Sequence, residues 1–204
     1  MKSKLIIFLL LFYFKGCSQK KEDIDNTIYV FTRSTELKVA YIAKDFNIKD
    51  TLSTHVGIGI KKNGKYEIYN VSNDQTYNKS ALICENLDSF IKVNGVKYFS
   101  VWKIDISKTE FKRFCKILKK YLNQTIVFDY DFSINDDNKL YCSEFVYDVL
   151  KQTNNVKFSF NPIIKELSQF YKLVLNRDYL EFIPVDFFTQ MNLFEKIDEH
   201  YYPK

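Results

Sequence analysis

The sequence predicts an α+β fold, in which strands and helices follow one another in irregular order within a single domain. Three observations predict it. Short runs rich in Val, Ile, Tyr and Phe recur along the chain. The two runs flanking Asn63-Gly64 are spaced as a hairpin. At least two further stretches keep their apolar residues at helical intervals.

The elements follow in order. Residues 28–33, Ile-Tyr-Val-Phe-Thr-Arg, read as a first strand. Residues 35–46 read as a loop with some helical character. His55 to Ile60 is a strand with Gly57 and Gly59 at alternate positions, where a missing side chain lets another backbone or side chain approach closely. Lys62 to Lys65 reverses the chain, because Asn63-Gly64 tolerates the positive φ angles of a tight hairpin, and Tyr66 to Val71 returns. Residues 81–92 hold a short strand and then a helix around Leu87 to Ile91, and Tyr98 to Ile106 is a strand. Ser107 with Glu110 forms a capping box, and Phe111, Phe114, Ile117, Leu118 and Tyr121 carry that helix to about Asn123. After the polar run Asn135 to Asn138, Tyr141-Cys142-Ser143 opens a helix that buries Phe145, Val146, Val149 and Leu150. Residues 163–175 read as another helix, and Phe182 to Asp186 introduces a last element.

With 204 residues, 46% hydrophobic and 27% charged, the chain is long enough for one packed domain. Trp102 and the many Phe and Tyr residues are assigned to its core. The expected division is a signal peptide over 1–16, a lipidated cysteine and flexible tether over 17–27, and the domain over 28–204. Lys2 and Lys4 precede an apolar stretch, Leu5 to Phe14, that is too short to span a bilayer. Gly16-Cys17 behind it has the form of a lipobox, in which Cys17 takes a diacylglyceryl thioether. Lys15 stands where a small residue is usual, so a plain secretory signal and an uncleaved anchor are the alternatives. Ser18 to Asp23 is short and charged, as a tether is. The expected location is the bacterial cell envelope, held to a membrane by the lipid. Loss of Lys2, Lys4 and Lys15 with the signal lowers the formal charge from +5 to +2, which with no aromatic-plus-basic motif argues against a nucleic-acid partner.

With Cys17 set aside, Cys84, Cys115 and Cys142 are an odd number, so at least one thiol is free unless it pairs with another chain. No two of them have metal-ligand spacing, and the chain has 2 histidines, so neither a metal nor another cofactor is expected. Cys142 begins a helix, where the dipole and the unpaired N–H groups favour thiolate and offer donors to an oxyanion. The same position also suits a small buried residue with no chemistry. His55 heads a strand beside two glycines, whereas His200 lies in a polar tail and is expected to be solvated. His55 is therefore the candidate base, although a histidine at a strand end is often structural.

Taken together, these residues resemble a family. His55-Val56-Gly57-Ile58-Gly59-Ile60 is followed by a hairpin, and Phe128-Asp129-Tyr130-Asp131-Phe132 leads to Tyr141-Cys142-Ser143-Glu144-Phe145-Val146. This set is similar to the permuted papain-like enzymes, the YiiX/YebB-like branch of the NlpC/P60 superfamily, in which the histidine strand precedes the cysteine helix. The resemblance covers residues 28–190 and implies a circularly permuted papain-like fold, with a small antiparallel sheet or barrel and the nucleophile at a helix N-terminus. It implies Cys142 as nucleophile, His55 as base, and a polar residue on the paired strand that holds the imidazole. The matching position is Asn70, where several relatives have Glu. Asn70 accepts a hydrogen bond from the ring but brings no charge to an imidazolium. Glu67 and Ser72 are the nearby substitutes, and alternation puts Glu67 on the opposite side of the strand from Asn70. Pro184 and Asp186 match the Pro-x-Asp that closes such domains. Asp129 and Asp131 are expected to shape the loop, Tyr141 to line the oxyanion site, and Glu144 to be a first-turn acid favoured by the dipole.

Two functional readings follow. One is a cysteine hydrolase that cleaves amide or ester bonds through an acyl-enzyme on Cys142. The resemblance offers it cell-wall peptide or a lipid-linked or N-acyl substrate, and the aromatic content and the tether favour the second. The other is a catalytically weak or inactive lipoprotein of the same fold that binds peptide or lipid, suggested by the missing acid at Asn70.

Overall fold

The computed structural model describes residues 25–35, 38–73, 80–93, 95–134 and 139–202. The expected signal peptide, Cys17 and most of the tether lie outside the described residues, as does the polar run 135–138. The strands are β1 (Thr27–Arg33), β2 (His55–Lys62), β3 (Lys65–Val71), β4 (Leu82–Glu85), β5 (Tyr98–Asp105), the short β6 (Val127–Phe128) and β7 (Lys139–Leu140), β8 (Ile163–Glu166), β9 (Tyr179–Phe182) and β10 (Glu195–Tyr201). The helices are α1 (Lys38–Phe46), α2 (Leu87–Ile91), α3 (Lys108–Leu122), α4 (Cys142–Thr153) and α5 (Gln169–Leu175), with a short 3-10 turn at Phe187–Met191.

Six strands in the order β10-β5-β1-β2-β3-β4 make one antiparallel sheet, open at β10 and β4. Of the sheet or barrel expected, the open sheet is what forms. Alternation splits β1 between two cores. Ile28 and Val30 join Val56 and Ile58 under Phe114, Phe145 and Val149 of α3 and α4, while Tyr29 and Phe31 join Ile68, Phe99 and Val101 under Phe90 of α2. Asn63 and Gly64 take φ 50° and 77° in the β2–β3 turn, as their sequence demands. A Cβ on Gly59 would lie 2.1 Å from the Glu67 carbonyl oxygen, so that glycine lets β2 and β3 approach.

Three segments differ from expectation. Residues 38–46 form a full helix, α1. Ile163–Glu166 is a strand, because it pairs with β9 and the hairpin closes Leu180 and Phe182 over Phe46, Leu167 and Leu175; only α5 is helical there. Glu195–Tyr201 is an edge strand on β5 with every residue exposed, so it carries no apolar alternation to announce it. His200 lies on that strand, exposed but stacked on Phe99 at 5.2 Å rather than in a free tail. Among the described residues no helix is long and apolar enough to cross a membrane.

Candidate active site

Cys142 is the first residue of α4, and its surroundings pin the helix start. Tyr141, at the N-cap, does not cap with its side chain; its hydroxyl accepts the Ile183 N–H at 2.8 Å. Ser143 donates its hydroxyl to the Ile183 carbonyl at 2.7 Å, and the Glu144 carboxylate accepts the Tyr141 N–H at 3.4 Å. Tyr141 also lines the cleft beside Cys142, while its hydroxyl anchors the helix start to Ile183. Cys142 is buried, and burial pushes its thiol above the ordinary range; hydrogen bonding from the backbone of Val56 and Ser143 and the charge of Arg33 act the other way. The helix start alone suggested a lowered value. Desolvation outweighs it. Cys84, Cys115 and Cys142 are all free thiols.

His55 opens β2, and the loop before it is held tightly. The buried Asp186 carboxylate accepts N–H groups from Ile48 at 3.0 Å, Lys49 at 2.8 Å and Asp50 at 2.9 Å. The Asn47 amide donates to the carbonyls of Asp50 and Ser53. That is the structural content of Pro184-x-Asp186: it fixes the approach to the histidine.

Asn70 is fully buried and bonded at both ends of its amide. Its Nδ2 donates to Glu85 Oε1 at 2.8 Å, and its Oδ1 meets His55 Nε2 at 2.9 Å. A carboxylate only accepts, so Glu85 fixes which way the amide faces. The oxygen therefore points at the ring, Nε2 carries the proton, and Nδ1 keeps the lone pair. Gly57 makes room for this contact, since a Cβ there would sit 3.1 Å from Asn70 Cβ. Burial, followed by the charge of Arg33, depresses His55 to about 3 against the pull of Asn70. One edge of the residue still reaches solvent.

Cys142 and His55 line one cleft with Arg33, Thr35, Thr54 and Ser72, where β1 ends, β2 begins and β3 has just ended. Cys142 reaches it from the α4 face. His55 belongs by alternation to the α2 face, so the two reach the cleft from opposite faces at the end of the sheet. On its other flank Cys142 borders a narrow, nearly all-apolar slot of about 40 Å³, lined by Phe46, Phe132, Leu180 and Phe182 among others.

The family model of the permuted papain-like amidase enzymes, the YaeF/YiiX group or C92 family, matches residues 30–178, more than half of the chain. The chain belongs to that family. It is thus a papain-like amidase, a hydrolase. Its fold is similar to the crystal structure of YiiX from Escherichia coli O157:H7, described as a metalloprotein, with a TM-score of 0.62, 13% identity, and coverage of 87% of this chain and 98% of that one. No curated protein matches the chain. Among the described residues of this amidase, no three His, Cys, Asp or Glu side chains gather as metal ligands, and one nitrogen of the site's imidazole is taken by Asn70.

The candidate site contains two residues that the sequence did not single out. Glu85 comes from β4 and has no local signal. Arg33 ends β1 on the face of Tyr29 and Phe31, and a charge at a core-facing position of a strand is a signal that could have found it. Of the substitutes for Asn70, Glu67 lies on the other face, bonded by the Tyr69 hydroxyl at 3.3 Å, and Ser72 lines the cleft. Asp129 is buried and accepts the N–H groups of Asp131 and Ser133, which shapes the loop ahead of Cys142. Trp102 packs edge-on against Phe188 and donates to Ser100, as a core residue.

Proposed function

We propose that this amidase works through an acyl-enzyme on Cys142, with His55 as base and Asn70 as the group that holds the imidazole. The observation that carries this reading is the 2.9 Å bond between His55 Nε2 and Asn70 Oδ1, beside a thiol that lines the same cleft. It leaves Nδ1 to take the thiol proton. The sulfur adds to the substrate carbonyl, and the oxyanion receives backbone N–H groups at the start of α4, which Tyr141 leaves uncapped. The imidazolium hands its proton to the departing amine as the C–N bond breaks. Water, deprotonated by His55, then releases the acid and restores the thiol. The upward shift of Cys142 and the downward shift of His55 both favour a neutral resting pair, so the thiol is ionised as it attacks.

The family points to a peptide substrate. The apolar slot beside Cys142 supports an amide with an apolar group next to the scissile bond, which suits an N-acyl or lipid-linked amide better than a polar cell-wall peptide. At about 40 Å³ it takes the first carbons of such a group. The lipobox-like Gly16-Cys17 supports a lipid anchor that holds the domain at the bacterial envelope. Incorporation of labelled palmitate, lost in Cys17→Ala, tests the anchor; equal incorporation overturns it. The enzyme reading is tested by turnover of N-acyl amides and cell-wall peptides by the wild type and by Cys142→Ala. Retained turnover in the variant sinks it.

A further inference from the structure

Arg33 is a buried cation with no carboxylate partner among the described residues. It is 4% exposed, yet among the described residues no carboxylate lies within ion-pair distance, and its Nε has no hydrogen-bond partner. Nη1 donates to the Phe90 carbonyl, and the guanidinium lies 4.4 Å above the Phe90 ring. Those contacts hold it in place without neutralising it. Glu85 is within electrostatic reach, but its carboxylate is bonded to Asn70. A charge buried in this way is unfavourable unless an anion joins it.

The cleft that Arg33 lines points to the anion. Arg33 pairs with His55 across β1 and β2, so the guanidinium and the imidazole leave the same face side by side, and both line the cleft that Cys142 enters. We propose that Arg33 is the positive partner of the Cys142 sulfur once it ionises, in the place that an imidazolium holds in a thiolate–imidazolium pair. When the S–H bond breaks, the electron pair stays on sulfur beside the guanidinium, and the proton goes to His55 Nδ1. A second cation beside Arg33 is disfavoured, so the imidazolium is short-lived and gives its proton readily to the leaving amine. The electrostatics run in the same sense: Arg33 and Cys142 each favour the charged form of the other, burial pushes Arg33 down to about 10, and Arg33 lowers His55.

This inference rests on Cys142 as nucleophile and is tested without turnover. Alkylation of Cys142 by iodoacetamide is followed from pH 4 to 10 by site-resolved mass spectrometry in the wild type, Arg33→Met, Arg33→Lys and His55→Ala. The inflection is expected to rise by about one unit or more in Arg33→Met, an approximately tenfold slower reaction at neutral pH. It is expected to hold nearly in place in Arg33→Lys and His55→Ala. An inflection unmoved in folded Arg33→Met overturns the proposal. If that variant does not fold, His55→Ala decides: an inflection raised by a unit or more makes the imidazolium the partner and overturns it, and an unmoved one supports it. Loss of activity in Cys142→Ala alongside an unmoved Arg33→Met inflection removes this inference alone, whereas activity retained in Cys142→Ala removes the enzyme reading beneath it.

Discussion

At the start of α3, the Ser107 hydroxyl accepts the Glu110 N–H at 3.2 Å, and the Glu110 carboxylate accepts the Ser107 N–H at 2.8 Å. At the start of α4, the reciprocal half survives through Glu144, but the N-cap is Tyr141, and its hydroxyl is bonded to Ile183. The first helix start is closed on itself and lies at the surface. The second is open and buried, with a thiol as its first residue and a cleft in front of it. Closing the N–H groups of a helix stabilises it; leaving them open keeps donors for an incoming oxyanion. The difference lies in the residue at the cap and in where tertiary packing sends its side chain.

The comparison predicts that changes at α4 alter activity and changes at α3 alter stability. The largest effect is expected for Cys142→Ala: amidase turnover falls at least about 10³-fold while the thermal midpoint stays close to wild type. A similar loss in Ser107→Ala would break the contrast. Next, Asn70→Ala frees the imidazole and lowers kcat by roughly 10–100-fold, with a smaller change in KM. Glu85→Leu gives a smaller fall, and Glu85→Gln stays near wild type, because a glutamine carbonyl still accepts the Asn70 N–H. Equal effects of Gln and Leu would show that Glu85 does not set the amide.

The pH profile separates the two regions further. With His55 held down at about 3, kcat/KM keeps its neutral base far below the ordinary histidine value of 6.5, so no acid limb is expected near neutrality. A limb at 6–7 would place the ring in solvent. The folded state binds fewer protons at His55 than the unfolded chain between about 6.5 and 3. Stability from this group is therefore present above 6.5 and lost as pH falls through that window, and His55→Gln should flatten the dependence. Bonds from Ser107 and Asn154 hold Glu110 down at about 2, so its contribution is lost at lower pH, between 4.5 and 2. The smallest effect is Ser107→Ala, about 1 kcal/mol of stability by denaturant unfolding with unchanged kcat/KM.

Local patterns made much of this legible. The Asn63-Gly64 turn and the Ser107 capping box depend on residues within one turn, and both form where the sequence puts them, as does the start of α4 at Cys142. Asn70 could be placed from the hairpin, since its register follows from the turn. The fold's remaining surprises come from pairing between distant segments. Ile163–Glu166 is a strand because Tyr179–Phe182 lies beside it, and Glu195–Tyr201 is one because β5 offers an edge. Neither has a period that singles it out.

The sequence by itself determined the α+β class, the hairpin that carries the imidazole and its amide, the two helix starts, and the resemblance that the family match bears out. Tertiary structure decided the charges around the chemistry. Arg33 reaches His55 only through the β1–β2 register, Glu85 reaches Asn70 only through β3 and β4, and burial turns the thiol shift upward against the helix dipole. Desolvation and cross-strand contact depend on what packs against a residue, and what packs against these comes from elsewhere in the chain.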